Sequence, residues 1–206
     1  MHSLDTVFKR NGTDKDMGHH GYADTYSTIL DPIREDPITL IEIGVQYGCS
    51  INSWLEYLPN AHIVGVDIQE LWNTDNPRYR QFKGSHGDMS FMRHVADQVK
   101  SADIVIDDGS HSVIGERVSF ECLWPIIIPG GYYVIEDIHV WFDDKHDGSY
   151  HDGARDLLWR IASAINWSGK RYYGRPFADE SPSDYDLDFD SMVVRRGLLV
   201  IHKAYK

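Results

Sequence analysis

The sequence predicts an α/β fold, a Rossmann-like doubly wound, mostly parallel seven-stranded sheet with a C-terminal antiparallel hairpin. Three observations predict it. Short β-branched runs alternate with helix-length amphipathic segments over the first 135 residues. The runs are apolar throughout, as in strands covered on both faces of a parallel sheet. The last two runs, Met192–Val194 and Leu198–His202, are joined by Arg195-Arg196-Gly197, a hairpin pattern.

In chain order, residues 1–24 read as a polar segment with a turn at Asn11-Gly12. The spacing of Tyr26, Ile29, Leu30 and Ile33 predicts a helix ending before Pro37. Ile38–Ile43 is the first strand, and Gly44–Gly48 turns into a helix near Ser50–Tyr57. Ile63–Val66 is the second strand, closing with Asp67, and Gln69–Tyr79 a loop with a short helix. Gln81–Lys83 is the third strand, followed by Gly87-Asp88 and a helix over about Ser90–Lys100. Ile104–Ile106 is the fourth strand and Val113–Leu123 a helix. A turn at Pro129-Gly130-Gly131 leads into the fifth strand, Tyr132–Ile135. Trp141–Asp152 reads as a polar insertion, Ala154–Asn166 as an amphipathic helix and 168–190 as a loop. The 206 residues make one domain, 1–206, with 1–37 as a segment covering a cofactor and 141–153 and 168–190 as acceptor-side loops.

Charge and composition exclude several classes. A net charge of −12 opposes a nucleic-acid surface, which needs clustered Lys and Arg. No apolar run approaches a membrane span and the N-terminus has no signal pattern, so no membrane is expected and the localisation is cytoplasmic. Cys49 and Cys122 form neither a disulfide framework nor a metal motif.

The fourth and fifth strands both end in acids followed by a histidine: Asp107-Asp108-Gly109-Ser110-His111 and Glu136-Asp137-Ile138-His139. Ligands in open α/β sheets bind beyond the carboxyl ends of the strands. Four carboxylates delivered to one edge repel unless a cation or proton compensates, and that argues for a divalent metal. All-oxygen ligands suit Mg²⁺ or another hard divalent cation.

The first two strands form a nucleotide-binding unit. Glu42 ends one strand, Gly44 and Gly48 allow close backbone approach, and Asp67 ends the next strand at the distance expected of a ribose-binding acid. Because the turn lacks the GxGxxG triplet, a nucleoside without pyrophosphate fits better than a dinucleotide. S-adenosylmethionine is the obvious candidate: Asp67 takes the adenosine, and its cationic groups suit the acidic edge of Glu42 and Asp107. Asp88 offers a carboxylate to the adenine amino group, and Tyr22 with His20 closes over the cofactor. The plainer reading makes Gly44 and Gly48 turn glycines and Asp67 a helix cap.

The chain resembles the class I S-adenosylmethionine-dependent O-methyltransferases, specifically the metal-dependent macrocin and mycinamicin sugar methyltransferases. A group named after cephalosporin hydroxylase is similar too. The resemblance lies in Gly12-Thr13-Asp14-Lys15, His20-x-Tyr22, Ile41–Val45, Gly65-Val66-Asp67, Gly87-Asp88, Ile106–His111, Pro129-Gly130-Gly131 and Val134–His139. It implies that Asp108, Glu136 and Asp137 hold Mg²⁺ and that His111 is the general base. His139, two residues after Asp137, is expected to contact either a metal ligand or the acceptor. The implied reaction is methyl transfer to a hydroxyl of a small sugar-like or catechol-like acceptor, and a homo-oligomer is compatible with it. A cation bound to vicinal hydroxyls lowers their pKa, and a neutral histidine can then take the proton. The competing readings are an NAD- or sugar-nucleotide-dependent Rossmann enzyme and a non-catalytic S-adenosylmethionine-binding subunit.

Overall fold

The computed structural model describes residues 2–142 and 188–205. Its strands are β1 (Thr39–Ile43), β2 (His62–Asp67), β3 (Tyr79–Lys83), β4 (Ala102–Asp107), β5 (Ile127–Ile135), β6 (Phe189–Arg195) and β7 (Leu198–Lys203). They form one sheet in the order β3-β2-β1-β4-β5-β7-β6. The first five pair in parallel, and β7 pairs antiparallel with both β5 and β6. The order reverses direction between β1 and β4, the place where such sheets open a ligand crevice.

Strand periodicity sorts the sheet residues onto two faces. Leu40, Ile104, Ile106 and Val134 pack with α1 (Leu4–Asn11), α2 (Ala23–Leu30) and α3 (Cys49–Tyr57) in one core. Ile41, Ile43, Val105, Tyr133 and Ile135 pack with α4 (Met89–Val99) and α5 (Val113–Leu123) in the other. Among the described residues, no helix is long and apolar enough to cross a membrane. Both cysteines are free.

Three elements differ from the sequence expectation. The N-terminal segment contains α1, whose Leu4, Val7 and Phe8 are buried on one stripe at helical spacing. Ser3 caps it through Thr6 N–H, and Gly12, at φ 74°, closes it with an N–H bond to Phe8 O. Phe8 stacks edge-on against Trp54 of α3 with centroids 5.1 Å apart. Short helices with many polar residues are easily missed, because three apolar positions suffice to dock them.

Pro129-Gly130-Gly131 is not a turn before β5 but lies within it, where the pairing with β4 shifts register between Ala102 and Ile104. A Cβ on Gly131 would come within 2.6 Å of Asp103 O, so glycine permits the strands to pass. The segment between β2 and β3 contains no helix; Trp72 folds back against Gly48, where a Cβ would sit 2.2 Å from the indole. The expected helix at 154–166 and most of the acceptor-side loops at 141–153 and 168–190 lie outside the described residues.

Candidate functional site

A cavity of about 510 Å³ opens at the carboxyl ends of β1, β2, β3 and β4. Its wall is made of Gly12–Lys15, Ile43–Tyr47, Val66–Ile68, Gly84–Gly87 and Asp108–Ser112, with Asp137 at one side. The turn after β1 and the acidic end of β4 therefore share one space, as expected of a cofactor whose cationic groups meet the acidic edge.

Backbone forms most of the half between β1 and β3. Gly44 (φ 94°) and Gly48 (φ 74°) both have left-handed geometry. A Cβ on Gly44 would lie 1.9 Å from Asp108 O, so this glycine lets the end of β4 run directly against the turn after β1. Asp67 lines the cavity, and its Oδ2 accepts from Val45 N and Gln46 N at 2.8 Å each, its Oδ1 from Gln69 N at 2.8 Å. Asp88 caps α4 by accepting from Ser90 N at 2.9 Å and Phe91 N at 3.2 Å. The cavity wall includes Gly87 but not Asp88.

The other half is built from charged side chains. Asp108, His111 and Asp137 each place one potential ligand atom within 4.8 Å of the others. His111 and Asp137 adopt positive φ, 53° and 54°, without being glycine. Backbone held in that region costs about 1–3 kcal/mol per residue and concentrates where function requires it. His111 Nε2 is 3.7 Å from Asp137 Oδ2, and its buried Nδ1 has no hydrogen-bond partner among the described residues. Tyr22 OH donates to Asp137 Oδ1 at 2.6 Å and to Gly197 O at 3.3 Å; Tyr22 is buried and does not line the cavity. His139 is exposed, with Nδ1 3.8 Å from Asp137 Oδ1, and His20 Nδ1 lies 3.7 Å from the same oxygen.

The remaining acids sit deeper. Glu42, Asp108 and Glu136 face α1–α3, and Lys15 joins them: its Nζ donates to Asp108 Oδ2 at 2.5 Å and Glu136 Oε2 at 2.8 Å, and lies 3.9 Å from Glu42 Oε1. Tyr26 OH donates to Glu136 Oε1 at 2.5 Å, while Ser50 and Trp54 donate to Glu42 Oε2 at 2.9 and 3.2 Å. Burial pushes Glu42 up to about 7, with Lys15 pulling it partly back. Burial alone would lower the Lys15 ammonium, but Asp108, Glu136 and Glu42 outweigh it and hold it well above its ordinary value. Glu136 thus points away from the cavity, which its neighbour Asp137 lines.

Asp107 faces the opposite way, towards α4 and α5, and is 1% exposed. Its Oδ2 accepts from Ser119 Oγ and from Tyr133 OH at 3.1 Å, its Oδ1 from Gly109 N at 3.3 Å. His86 Nδ1 stands 3.4 Å from Asp107 Oδ1, and His86 Nε2 is 2.8 Å from Ser110 Oγ. Burial opposes ionisation of both partners; Asp107 nonetheless holds the His86 imidazole above its ordinary value, and His86, Ser119 and Tyr133 hold Asp107 below its own.

Two residues here had no assigned role in the sequence. Lys15 was visible as part of a matching motif, but its partners lie up to 121 residues away in the chain. His86 follows β3 directly, and its place between glycines beyond a strand end was a usable signal.

This sheet order with the reversed β7 is that of a Rossmann-like methyltransferase fold. The MycE methyltransferase of the mycinamycin biosynthetic pathway, solved in complex with Mg and SAH, superposes with a TM-score of 0.85 at 26% identity, covering 99% of this chain and 55% of that one. Within that class the chain is a relative of the macrocin- and mycinamicin-type sugar O-methyltransferases. The 8-demethyl-8-alpha-L-rhamnosyl tetracenomycin-C 2'-O-methyltransferase of Streptomyces olivaceus is 34% identical over 185 residues, 85% of this chain and 48% of that protein. The mycinamicin VI 2''-O-methyltransferase of Micromonospora griseorubida is 35% identical over 58% of this chain and 32% of its own length. The chain thus spans half or less of the length of these relatives. No family model matches the chain.

Proposed function

We propose that this chain is a cytoplasmic, metal-assisted O-methyltransferase that moves a methyl group from S-adenosylmethionine to a hydroxyl of a small, sugar-bearing acceptor. One observation carries the reading: the glycine turn after β1 with Asp67, and the Asp108, His111 and Asp137 cluster, line the same cavity. The O-methyltransferase relatives and the Mg and SAH of the MycE structure support it.

The donor set fits a divalent cation. Asp108 and Asp137 supply hard oxygens, His111 a nitrogen or a base, and the strained backbone at two of the three marks an imposed geometry. Asp108 and Asp137 would hold the ion; Glu136, whose two oxygens are taken by Lys15 and Tyr26, would join them only by leaving those partners. Bound together, the cation supplies Lewis acidity to an acceptor hydroxyl and the sulfonium supplies the methyl group. The chain's own part is to orient and deprotonate. Asp67 and the turn residues Gly44–Tyr47, which line the cavity, would take the adenosine. His111, on the cavity wall, would take the hydroxyl proton, and Asp137, 3.7 Å from its Nε2, would face the imidazolium that results. Gly12–Lys15, within the 1–37 segment, close one wall, and His139 and His20, 3.8 and 3.7 Å from Asp137 Oδ1, would face the acceptor.

Thermal unfolding with S-adenosylmethionine, S-adenosylhomocysteine or NAD tests this, each with Mg²⁺ or chelator. Ligand at about 100 times its dissociation constant adds roughly 2.7 kcal/mol, which is about 5–10 °C for a domain of this size. A rise with both adenosyl ligands but not NAD is expected; no rise with either, or a rise with NAD alone, refutes the reading.

A further inference from the structure

Lys15 is 1% exposed, and burial alone disfavours an ammonium. Three carboxylates surround it, from the ends of three adjacent strands: Glu42 on β1, Asp108 after β4 and Glu136 after β5. Strand alternation puts all three on the α1–α3 face, where Asp107 does not reach. The other contacts of Glu42 and Glu136 are neutral, Ser50 and Trp54 for the first and Tyr26 for the second, while Asp108 also stands beside His111 and Asp137. Glu42 Oε1 has no hydrogen-bond partner among the described residues and looks onto the ammonium at 3.9 Å. Without Lys15, two buried acids, Glu42 and Glu136, and the cavity-lining Asp108 would face one another around a vacant centre. The lysine reaches them from the loop that follows α1, so the N-terminal segment is fastened to the carboxyl edge of the sheet by charge.

We propose that Lys15 is the resident counter-cation of the sheet's carboxyl edge and a positioning residue for Asp108, which it holds at the cavity wall through one carboxylate oxygen while keeping Glu136 turned inward. The inference rests on the charge arrangement and stands apart from the methyl-transfer reading. A cation at this place performs the same neutralisation whether it is covalently attached or dissolved, so a divalent ion should replace a lost ammonium.

The test is Lys15→Met, of similar length and no charge, melted in chelator and in millimolar MnCl₂. Lys15→Met is expected to melt far below wild type in chelator and to recover at least half of that deficit with Mn²⁺, while the wild type moves less. Lys15→Met/Glu136→Gln, which removes one carboxylate with the ammonium, is expected to melt above Lys15→Met in chelator. If Lys15→Met does not fold in chelator, recovery of folded protein on refolding with Mn²⁺, or in the double variant, supports the proposal. A deficit of equal size with and without Mn²⁺, together with a double variant no better than the single, overturns it, because a lysine that only fills space gives that result. Binding of adenosyl ligands to wild type is read separately, so failure of the functional reading leaves this test intact.

Discussion

The carboxyl edge of the sheet buries acids on both faces and neutralises them differently. On the α1–α3 face, Glu42, Asp108 and Glu136 gather around Lys15, a cation that stays charged at every physiological pH. On the α4–α5 face, Asp107 is held by two hydroxyls, a backbone N–H and His86, a cation that titrates. Asp107 and Asp108 are adjacent in sequence, yet they belong to these two separate groups because successive strand residues point to opposite faces. The first group opens onto the cavity through Asp108. Asp107 is sealed, and its work is to tie β4 to β5 and α5.

The sharpest way to break that contrast is to remove Asp107. Asp107→Ala leaves Ser119, Tyr133 and His86 without their shared acceptor in the interior. Losing one member of a buried charged network costs about 3–5 kcal/mol. Urea unfolding should show a loss of that size, with affinity for S-adenosylhomocysteine in the folded fraction unchanged. A folded variant of wild-type stability that no longer binds the nucleoside would return Asp107 to the cofactor site.

The next effect separates the faces by pH. His86 has a raised pKa in the folded state, so its ion pair stabilises the fold fully below the unfolded value of about 6.5 and is lost as pH rises through the folded value. Asp107, lowered, contributes above its unfolded value of about 3.9 and loses that contribution as pH falls through its folded value. The pair is therefore at full strength from about pH 4 to 6.5. Stability followed from pH 6 to 9 should decline in wild type and decline less in His86→Gln. Parallel curves would remove His86 from the account.

Much of the fold was legible because parallel strands announce themselves as continuous apolar runs, and Ile104–Ile106 and Val113–Leu123 fall within a residue or two of their elements. What escaped was what depends on distant partners. α1 has three apolar residues whose docking surface, α3, begins 45 positions after the start of α1. The bulge in β5 looks like a turn until its pairing with β4 is known. At the site, the cluster of acids was legible but its charge balance was not. Alternation alone would have divided Asp107 from Asp108, but nothing in the two acid runs points to Lys15, which neutralises part of the set from within the chain. Asp137 lies past the last residue of β5 in a left-handed conformation, and no pattern in Glu136-Asp137 foretells that the first acid turns inward and the second lines the cavity.

The smallest expected effect concerns Asp88, where a cap and a ligand contact compete as explanations. Its Oδ1 accepts from two backbone N–H groups in the first turn of α4, satisfying donors that the helix itself leaves unpaired. Replacing an N-cap aspartate by alanine costs about 1 kcal/mol, and serine retains most of the cap. Asp88→Ala should therefore lower the unfolding midpoint slightly, Asp88→Ser should restore it, and both should bind S-adenosylhomocysteine as wild type does. Calorimetric titration of the serine variant decides the matter. Serine keeps the helix but removes the carboxylate, so a fall in affinity at unchanged stability would show that Asp88 reaches the adenine from its cap position, and that the α4–α5 face contributes to ligand binding as well as to stability.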